Sequence, residues 1–395
     1  MENINILNKK DCTGCGMCRQ LCPTGAIEMI DNQEGFMEPK IDSEKCINCG
    51  LCAKRCPQLN NENKVKNRLD KVKVYAAKSK NVEEQKSSSS GGIFSVIANY
   101  VLDNAGVVYG ATFNDEMEVE HIRVADKKYL YKLRGSKYVQ SDTKNTFQEA
   151  KKDLEKNILV LYSGTPCQIA GLNSFLNKDY SNLILIDLIC HGVPSPKLLV
   201  KQIEDIENKK KDKIVDLEFR NKEKEGWGAY GFNIKFASGR KKYIPSAFSP
   251  YITTFLQGKL CRYSCYNCKY ANTERVGDIT LGDYWGIKQE HPEFYDVNGV
   301  SALLVNTEKG EGILRKISNN VILKESTLSK VKKANHNLNE PTQMYNDREN
   351  VYKGLDKDFK SYAKENLKYK VGIKNRLKRV IPRKLIKNEI KKIIE

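Results

Sequence analysis

Eight of the 13 cysteines in this 395-residue chain fall in a pattern that occurs twice within the first sixty residues. Cys12, Cys15, Cys18 and Cys22 are followed by Pro23, and Cys46, Cys49, Cys52 and Cys56 by Pro57. Both runs have the spacing of bacterial ferredoxins, in which the fourth cysteine ligates the other 4Fe-4S cluster. A cubane asks for four thiolates at its corners. Two-residue gaps let one tight loop wrap three corners, and the fourth thiolate comes from the opposite half. On that logic one cluster takes Cys12, Cys15, Cys18 and Cys56, and the other Cys46, Cys49, Cys52 and Cys22. Gly14, Gly16 and Gly50 let the backbone pass close to sulfur and aim N–H groups at it. Pro23 and Pro57 stiffen the exit from each run. Zinc also takes four thiolates. It leaves the duplication, and the proline after each fourth cysteine, without a reason.

No apolar run approaches the roughly 20 residues of a membrane span. The longest candidates, residues 158–162 and 183–190, have strand length. The first eleven residues are polar and carry no apolar signal core. The expected location is therefore the cytoplasm, where thiols stay reduced and available to metal. The formal net charge is +18, but residues 364–395 alone hold 12 Lys/Arg against 3 Asp/Glu, half of that surplus. The excess belongs to a tail more than to the folded body.

The chain divides into a cysteine-rich start over 1–60, a polar linker over 61–70, a central region, and a polar stretch with a basic tail over 337–395. In the centre, strand patterns at 72–76, 107–113, 119–125, 157–163, 183–190, 214–220, 279–282 and 300–305 alternate with helical ones. A helix is expected over 91–103, with Ile93, Phe94, Ile97, Tyr100 and Val101 on one face, and another from the turn at 164–166 through Leu176. This alternation predicts an α+β class, with a two-cluster ferredoxin domain followed by a mixed α/β domain. The central region is expected in two lobes, 71–160 and 161–336.

Five cysteines remain. Cys167 follows one buried strand pattern and Cys190 ends the next, so both emerge at one sheet edge, where ligand sites form. Cys265 and Cys268 make a C-x2-C hook. Four thiolates meeting there hold a third 4Fe-4S cluster; alternatively, Cys167 and Cys190 are buried core thiols. Cys261, outside the hook, is the spare. His191 is a ligand or proton donor, or simply a hydrogen-bonded turn residue. The Ser87-Ser-Ser-Ser-Gly-Gly92 loop opens a helix, and free N–H groups at a helix N-terminus suit a phosphate such as that of FAD or FMN. A plain Ser/Gly linker is the other reading. Around residues 133–138, Arg134 and Lys137 offer charge to phosphate and Tyr138 a ring to stack, or the stretch is a solvated basic turn.

Taken together, these residues resemble the beta subunits of hydrogenases and dehydrogenases that use the deazaflavin coenzyme F-420. The likeness rests on Ser88-Ser-Ser-Gly-Gly-Ile-Phe94, Arg134-Gly-Ser-Lys-Tyr138, Gly164-Thr-Pro-Cys-Gln-Ile-Ala-Gly-Leu172, Asp187-Leu-Ile-Cys-His-Gly-Val-Pro-Ser195, Ser264-Cys-Tyr-Asn-Cys-Lys-Tyr270 and Gly277-Asp-Ile-Thr-Leu-Gly-Asp-Tyr-Trp285. It covers about residues 87–306 and is strongest to bacterial members with an N-terminal two-cluster ferredoxin domain. The resemblance implies an FAD that exchanges hydride on one side and single electrons with clusters on the other. It implies flavin contacts at Ser90, Gly91, Gly92, Ser136, Lys137 and Tyr138. It implies cluster ligands at Cys167, Cys190, Cys265 and Cys268, with Asp278 and Asp283 bracketing a turn that orients the cluster or binds substrate. The substrate is left open, and so is the use of F-420 itself. One expectation is an oxidoreductase served by a redox partner protein or ferredoxin. The other is a non-catalytic electron-relay subunit, by analogy with relatives linked to cell-surface polysaccharide synthesis.

In the tail, Ile373, Leu377, Val380, Ile381, Leu385, Ile386, Ile390, Ile393 and Ile394 recur at helical spacing among Lys and Arg, interrupted by Pro382. A basic amphipathic helix lies on an anionic membrane surface, docks on a partner, or packs on the body. Nucleic acid ranks behind these, because no base-reading fold is visible.

Overall fold

In the computed structural model, the described residues are 2–60, 68–220, 222 and 226–372. Most of the expected linker and the amphipathic part of the basic tail, residues 373–395, lie outside them.

The two cysteine runs fold alike. Each wraps into a short helix carrying its third cysteine, Met17–Leu21 and Leu51–Lys54. Gly16 and Gly50 cap these helices at φ +75° and +72°. Two residues earlier, Gly14 and its counterpart Asn48 also lie at positive φ, +66° and +52°. Asparagine is among the few L-residues that tolerate this region, so the duplication extends to the backbone. Strands β1 (Ile27–Asp31) and β2 (Met37–Ile41) form an antiparallel hairpin between the runs.

The chain then enters an eight-stranded mixed sheet with β3 (Arg68–Ser79), β4 (Val107–Phe113), β5 (Val119–Val124), β6 (Val160–Gly164) and β7 (Leu183–Leu188). Strands β8 (Ile214–Glu218), β9 (Gly231–Phe236) and β10 (Lys241–Pro245) make a separate three-stranded antiparallel sheet. Strands β11 (Ile279–Asp283), β12 (Ser301–Thr307) and β13 (Val321–Ser326) return to the large sheet, whose order is β13-β3-β12-β11-β7-β6-β4-β5. Its middle, β4-β6-β7-β11, is parallel, and both flanks are antiparallel. Both expected lobes supply strands to this one sheet.

Side chains alternate across it as a pleat requires. Val107, Tyr109, Val160, Tyr162, Leu183 and Leu185 pack on one face, and Val108, Leu161, Ile184 and Ile186 on the other. Burial on both faces explains the unbroken apolar runs of the parallel strands. The second face is covered by helix Ile93–Asp103 through Ile93, Val96, Ile97 and Val101. The first is covered by helices Thr146–Glu155 and Pro166–Leu176, and by the cysteine-rich region. Cys12, Met17, Cys18, Cys52 and Cys56 share one apolar cluster with Tyr162, Ile169 and Leu172. The N-terminal region is thus built into the core of the central sheet.

Candidate functional site: three thiol sets and a cavity

All 13 cysteines are free thiols. Cys22, Cys46, Cys49 and Cys52 line one small cavity, the crossed set expected from the spacing. Burial first, then Cys56, Cys12 and Cys167, push the Cys15 thiol up to about 12; Cys18 is raised by burial and then by Cys15, Cys12 and Cys56, and Cys56 by burial and then by Cys12. Backbone N–H groups point at sulfur, Gly14 to Cys12 at 3.4 Å and Ala26 to Cys22 at 3.3 Å. Thiolate-bound clusters use such bonds. Among the described residues, no three His, Cys, Asp or Glu are arranged to hold a single metal ion. The four thiols gathered at one cavity, and the N–H groups aimed at sulfur, fit a thiolate-held cluster.

The central four also converge. Burial pushes the Cys167 thiol up to about 11, with Cys268 beside it adding to the shift. Cys190 is raised by burial, then by Cys265, Cys167 and Cys268. Cys167 occupies the first turn of helix Pro166–Leu176, and its Sγ lies 3.2 Å from Thr165 Oγ1. Cys190 follows β7, which ends at Leu188, short of the expected strand end. Gly192 N–H points at Cys190 Sγ at 3.4 Å. Cys265 and Cys268 come from the single 3-10 turn Tyr263–Asn267 and the residue after it. The first and central sets adjoin, since Cys15 is influenced by Cys167. Tyr270 feels Cys167, Cys15, Cys268 and Cys56 together, after burial. Cys261 lies against the central set, but its thiol donates to the His191 carbonyl at 3.6 Å, and burial holds its pKa up at about 12.

Cys190 also forms part of the wall of a cavity of about 1120 Å³. The cavity opens at the carboxyl ends of β6, β7 and β11, lined there by Ser163, Gly164, residues 188–193, Gly282 and Asp283. Ligands of α/β sheets bind at such strand ends. Its volume exceeds the ~300–1,000 Å³ usual for one small ligand. Ser90, Gly92, Ser136, Lys137 and Tyr138 line it together; Gly91 does not. A Cβ on Gly91 would stand 2.3 Å from Ala77 O, so this glycine lets the loop lie against β3. The helix begins at Ile93 rather than Gly91, with Gly92 as its cap at φ +88°.

Ser89 Oγ accepts from Ser136 N–H (2.7 Å) and Ser136 Oγ (3.0 Å), which staples the serine loop to residues 134–138. Lys222 Nζ donates to the carbonyls of Gln85, Ser90 and Asn298, and burial lowers its pKa to about 7. Lys137 Nζ likewise donates to Lys132 O and Arg134 O, and burial brings it to about 7. The Tyr138 ring packs with Phe219, Tyr230 and Phe255, and its hydroxyl accepts from Arg220 at 3.2 Å.

Asp278 precedes strand β11 and Asp283 is its last residue, so a strand and not a turn lies between them. Asp278 accepts from Leu185 N–H and the Thr307 hydroxyl, and burial raises its pKa. It joins strands and does not reach the cavity. Asp283 does, held by Arg220 at 2.9 Å and Trp227 Nε1 at 2.7 Å.

Several lining residues had no signal in local sequence. His121 contacts Ser141 Oγ through Nδ1 and Ser163 O through Nε2, and burial brings its pKa down to about 4. Behind the wall, the Arg220 guanidinium carbon lies 4.5 Å from the centroid of the Tyr230 ring. Residues 334–337 and 340–344 also line the cavity. His191 is on the wall, with Nδ1 3.3 Å from Asn337 Oδ1 and Nε2 buried without a partner among the described residues.

Twin cysteine runs joined to a mixed sheet with a further thiol set define an iron–sulfur protein of the oxidoreductase type. Residues 11–60 match the family model of the 4Fe-4S dicluster domain. Residues 158–331 match that of the coenzyme F420 hydrogenase/dehydrogenase beta subunit, C terminus. Both meet the resemblance drawn from the motifs; the serine-glycine loop and residues 134–138 lie outside both segments. Among solved structures, a chain of the F420-reducing NiFe hydrogenase complex from Methanosarcina barkeri is 18% identical. The alignment covers 75% of this chain and 97% of that one, with a TM-score of 0.48. No curated protein matches. No described helix is long and apolar enough to cross a membrane.

Proposed function

We propose that the chain is an iron–sulfur flavoprotein oxidoreductase with three 4Fe-4S clusters and an FAD in the large cavity. The observation that carries this reading is Cys190, which belongs both to the central thiol set and to the cavity wall. A flavin bound there would supply the exchange of one hydride for two single electrons. The chain's own groups prepare the site. The stapled loops at residues 88–92 and 134–138 present backbone N–H groups and the Arg134 charge to phosphate. Tyr138, Tyr230, Phe255 and Trp285 wall a flat ring system away from water. Lys222 ties Ser90 of the serine loop to Gln85 and Asn298 through their carbonyls, and Asp283 fixes Arg220 and Trp227 behind the wall. The first N-terminal set adjoins the central set, so residues 1–60 serve as the entry or exit for electrons exchanged with a redox partner protein or ferredoxin.

Anaerobic purification followed by iron, sulfide and flavin assays tests the reading. Three cubanes give about twelve iron atoms, four to each, with one FAD. Eight irons would remove the central cluster. Twelve irons without flavin would favour a relay subunit lacking its own hydride chemistry.

A further inference from the structure

Arg262 stands between two of the thiol sets. Its side chain is only 4% exposed. Nε donates to the main-chain oxygen of Cys12. Nη1 donates to Met37 O at 3.0 Å and, at 3.5 Å, to Gln140 Oε1. Its backbone is fixed in the central set, because Arg262 N–H donates to Val193 O and Cys265 N–H to Arg262 O. One guanidinium therefore holds the loop of the first N-terminal set while rooted in the hook of the central set.

The partners of this buried cation are mostly neutral. Nη2 has no hydrogen-bond partner among the described residues, and the Glu38 carboxylate stands 4.0 Å away. The guanidinium carbon lies 5.4 Å from the Phe36 ring centroid. Burying a charge against carbonyls and a ring is costly unless an anion offsets it. Thiolate-ligated cubanes on either side are such anions.

We propose that Arg262 sets the reduction potentials of the two clusters that flank it. One is held by Cys12, Cys15, Cys18 and Cys56, and the other by Cys167, Cys190, Cys265 and Cys268. The inference rests on the three-cluster reading above. Each reduction adds one electron from a one-electron donor and makes the cluster more negative, with no bond made or broken. A fixed positive charge in a water-poor site favours the reduced form and raises the potential. None of the four cysteines of the remaining set is hydrogen-bonded to Arg262, so that cluster serves as an internal reference.

The test is a mediated dithionite titration of the full holoprotein, followed by electron paramagnetic resonance, with iron counted in each sample. In Arg262→Gln with twelve irons, at least one flanking cluster should become tenfold or more harder to reduce, about 59 mV for a one-electron couple. The cluster of Cys22, Cys46, Cys49 and Cys52 should not move, and Arg262→Lys should restore most of the shift. Glu38→Gln, which removes the opposing charge, should shift the flanking clusters the other way, and it decides the matter if Arg262→Gln loses iron. Unchanged potentials in fully loaded Arg262→Gln, or in Glu38→Gln where the first variant is unloaded, overturn the proposal. Wild-type protein with eight irons overturns instead the reading of a central cluster, and Arg262→Gln then reports on the first cluster alone.

Discussion

Gly192 shows how closely the cavity wall is fitted to its thiols. Its φ of +110° disfavours any side chain, and a Cβ would lie 2.6 Å from Cys261 Sγ and 3.2 Å from Cys265 Cβ. Gly192→Ala is therefore expected to cost the central cluster and leave the other two, lowering iron from about twelve to about eight per chain. Cys22→Ser and Cys49→Ser should give one phenotype, loss of the same N-terminal cluster, although 27 residues separate them; electron paramagnetic resonance of the reduced variants checks this. His121 carries a different prediction. Burial brings its pKa to about 4, whereas an unfolded histidine titrates near ~6.5. Between these values the unfolded chain binds the extra proton. Stability should thus be complete above about 6.5 and fall as pH drops towards about 4, by up to ~1.4 kcal/mol per unit. Comparing denaturation midpoints of wild type and His121→Gln at pH 7 and pH 5 tests this, the variant losing less. At this scale the sequence is legible where chemistry is contiguous. The eight proposed ligands of the first two sets follow from spacing alone, whereas Arg262, Arg220 and His121 contact groups scores of residues away and leave no local trace.

Helix Pro166–Leu176 carries Cys167 in its first turn, and its start is held by Gln168. The Gln168 side chain accepts from Thr165 N–H and Oγ1, both at 3.0 Å, and donates to Ser141 Oγ at 2.9 Å. Gln168→Ala should destabilise the protein by about 1–3 kcal/mol, because it orphans buried partners. Calorimetry of the loaded protein would show the lowered Tm. The buried strands β4, β6, β7, β11 and β12 stand out in the sequence as apolar runs bounded by turns. Strands β9 and β10 do not: β10 is nowhere fully buried, so its sequence lacks the apolar run. Ends shifted where hydrogen bonding, not composition, decides them. Residues 189 and 190 leave β7 to form the cysteine turn, and Gly91 stays outside its helix to let the loop approach β3.

Across the whole molecule, the cysteine-rich region is joined to the last described segments. Glu34, in the β1–β2 turn, accepts from both Arg348 Nη atoms at 2.9 and 2.7 Å, and Arg348 Nε donates to Cys261 O. Arg348 is buried, so Glu34→Ala leaves a cation without its anion and should cost about 3–5 kcal/mol. Arg348→Met should cost less, since Glu34 is partly exposed and can be hydrated; urea denaturation of the two variants distinguishes them. This joint is invisible in sequence, where 314 residues separate its ends. Pairing of β3 with β12 and β13 is equally out of reach of the sequence, because it depends on register between distant strands.

Cys12, Cys18 and Cys56 help fill the hydrophobic interior beneath Tyr162 and Ile169. Metal loading and folding therefore share a common footing in this protein. A shortage of iron during synthesis would not yield a sound scaffold awaiting its clusters. It would yield a weakened chain open to proteolysis, so that iron supply governs how much of the polypeptide survives as well as how much of it carries current.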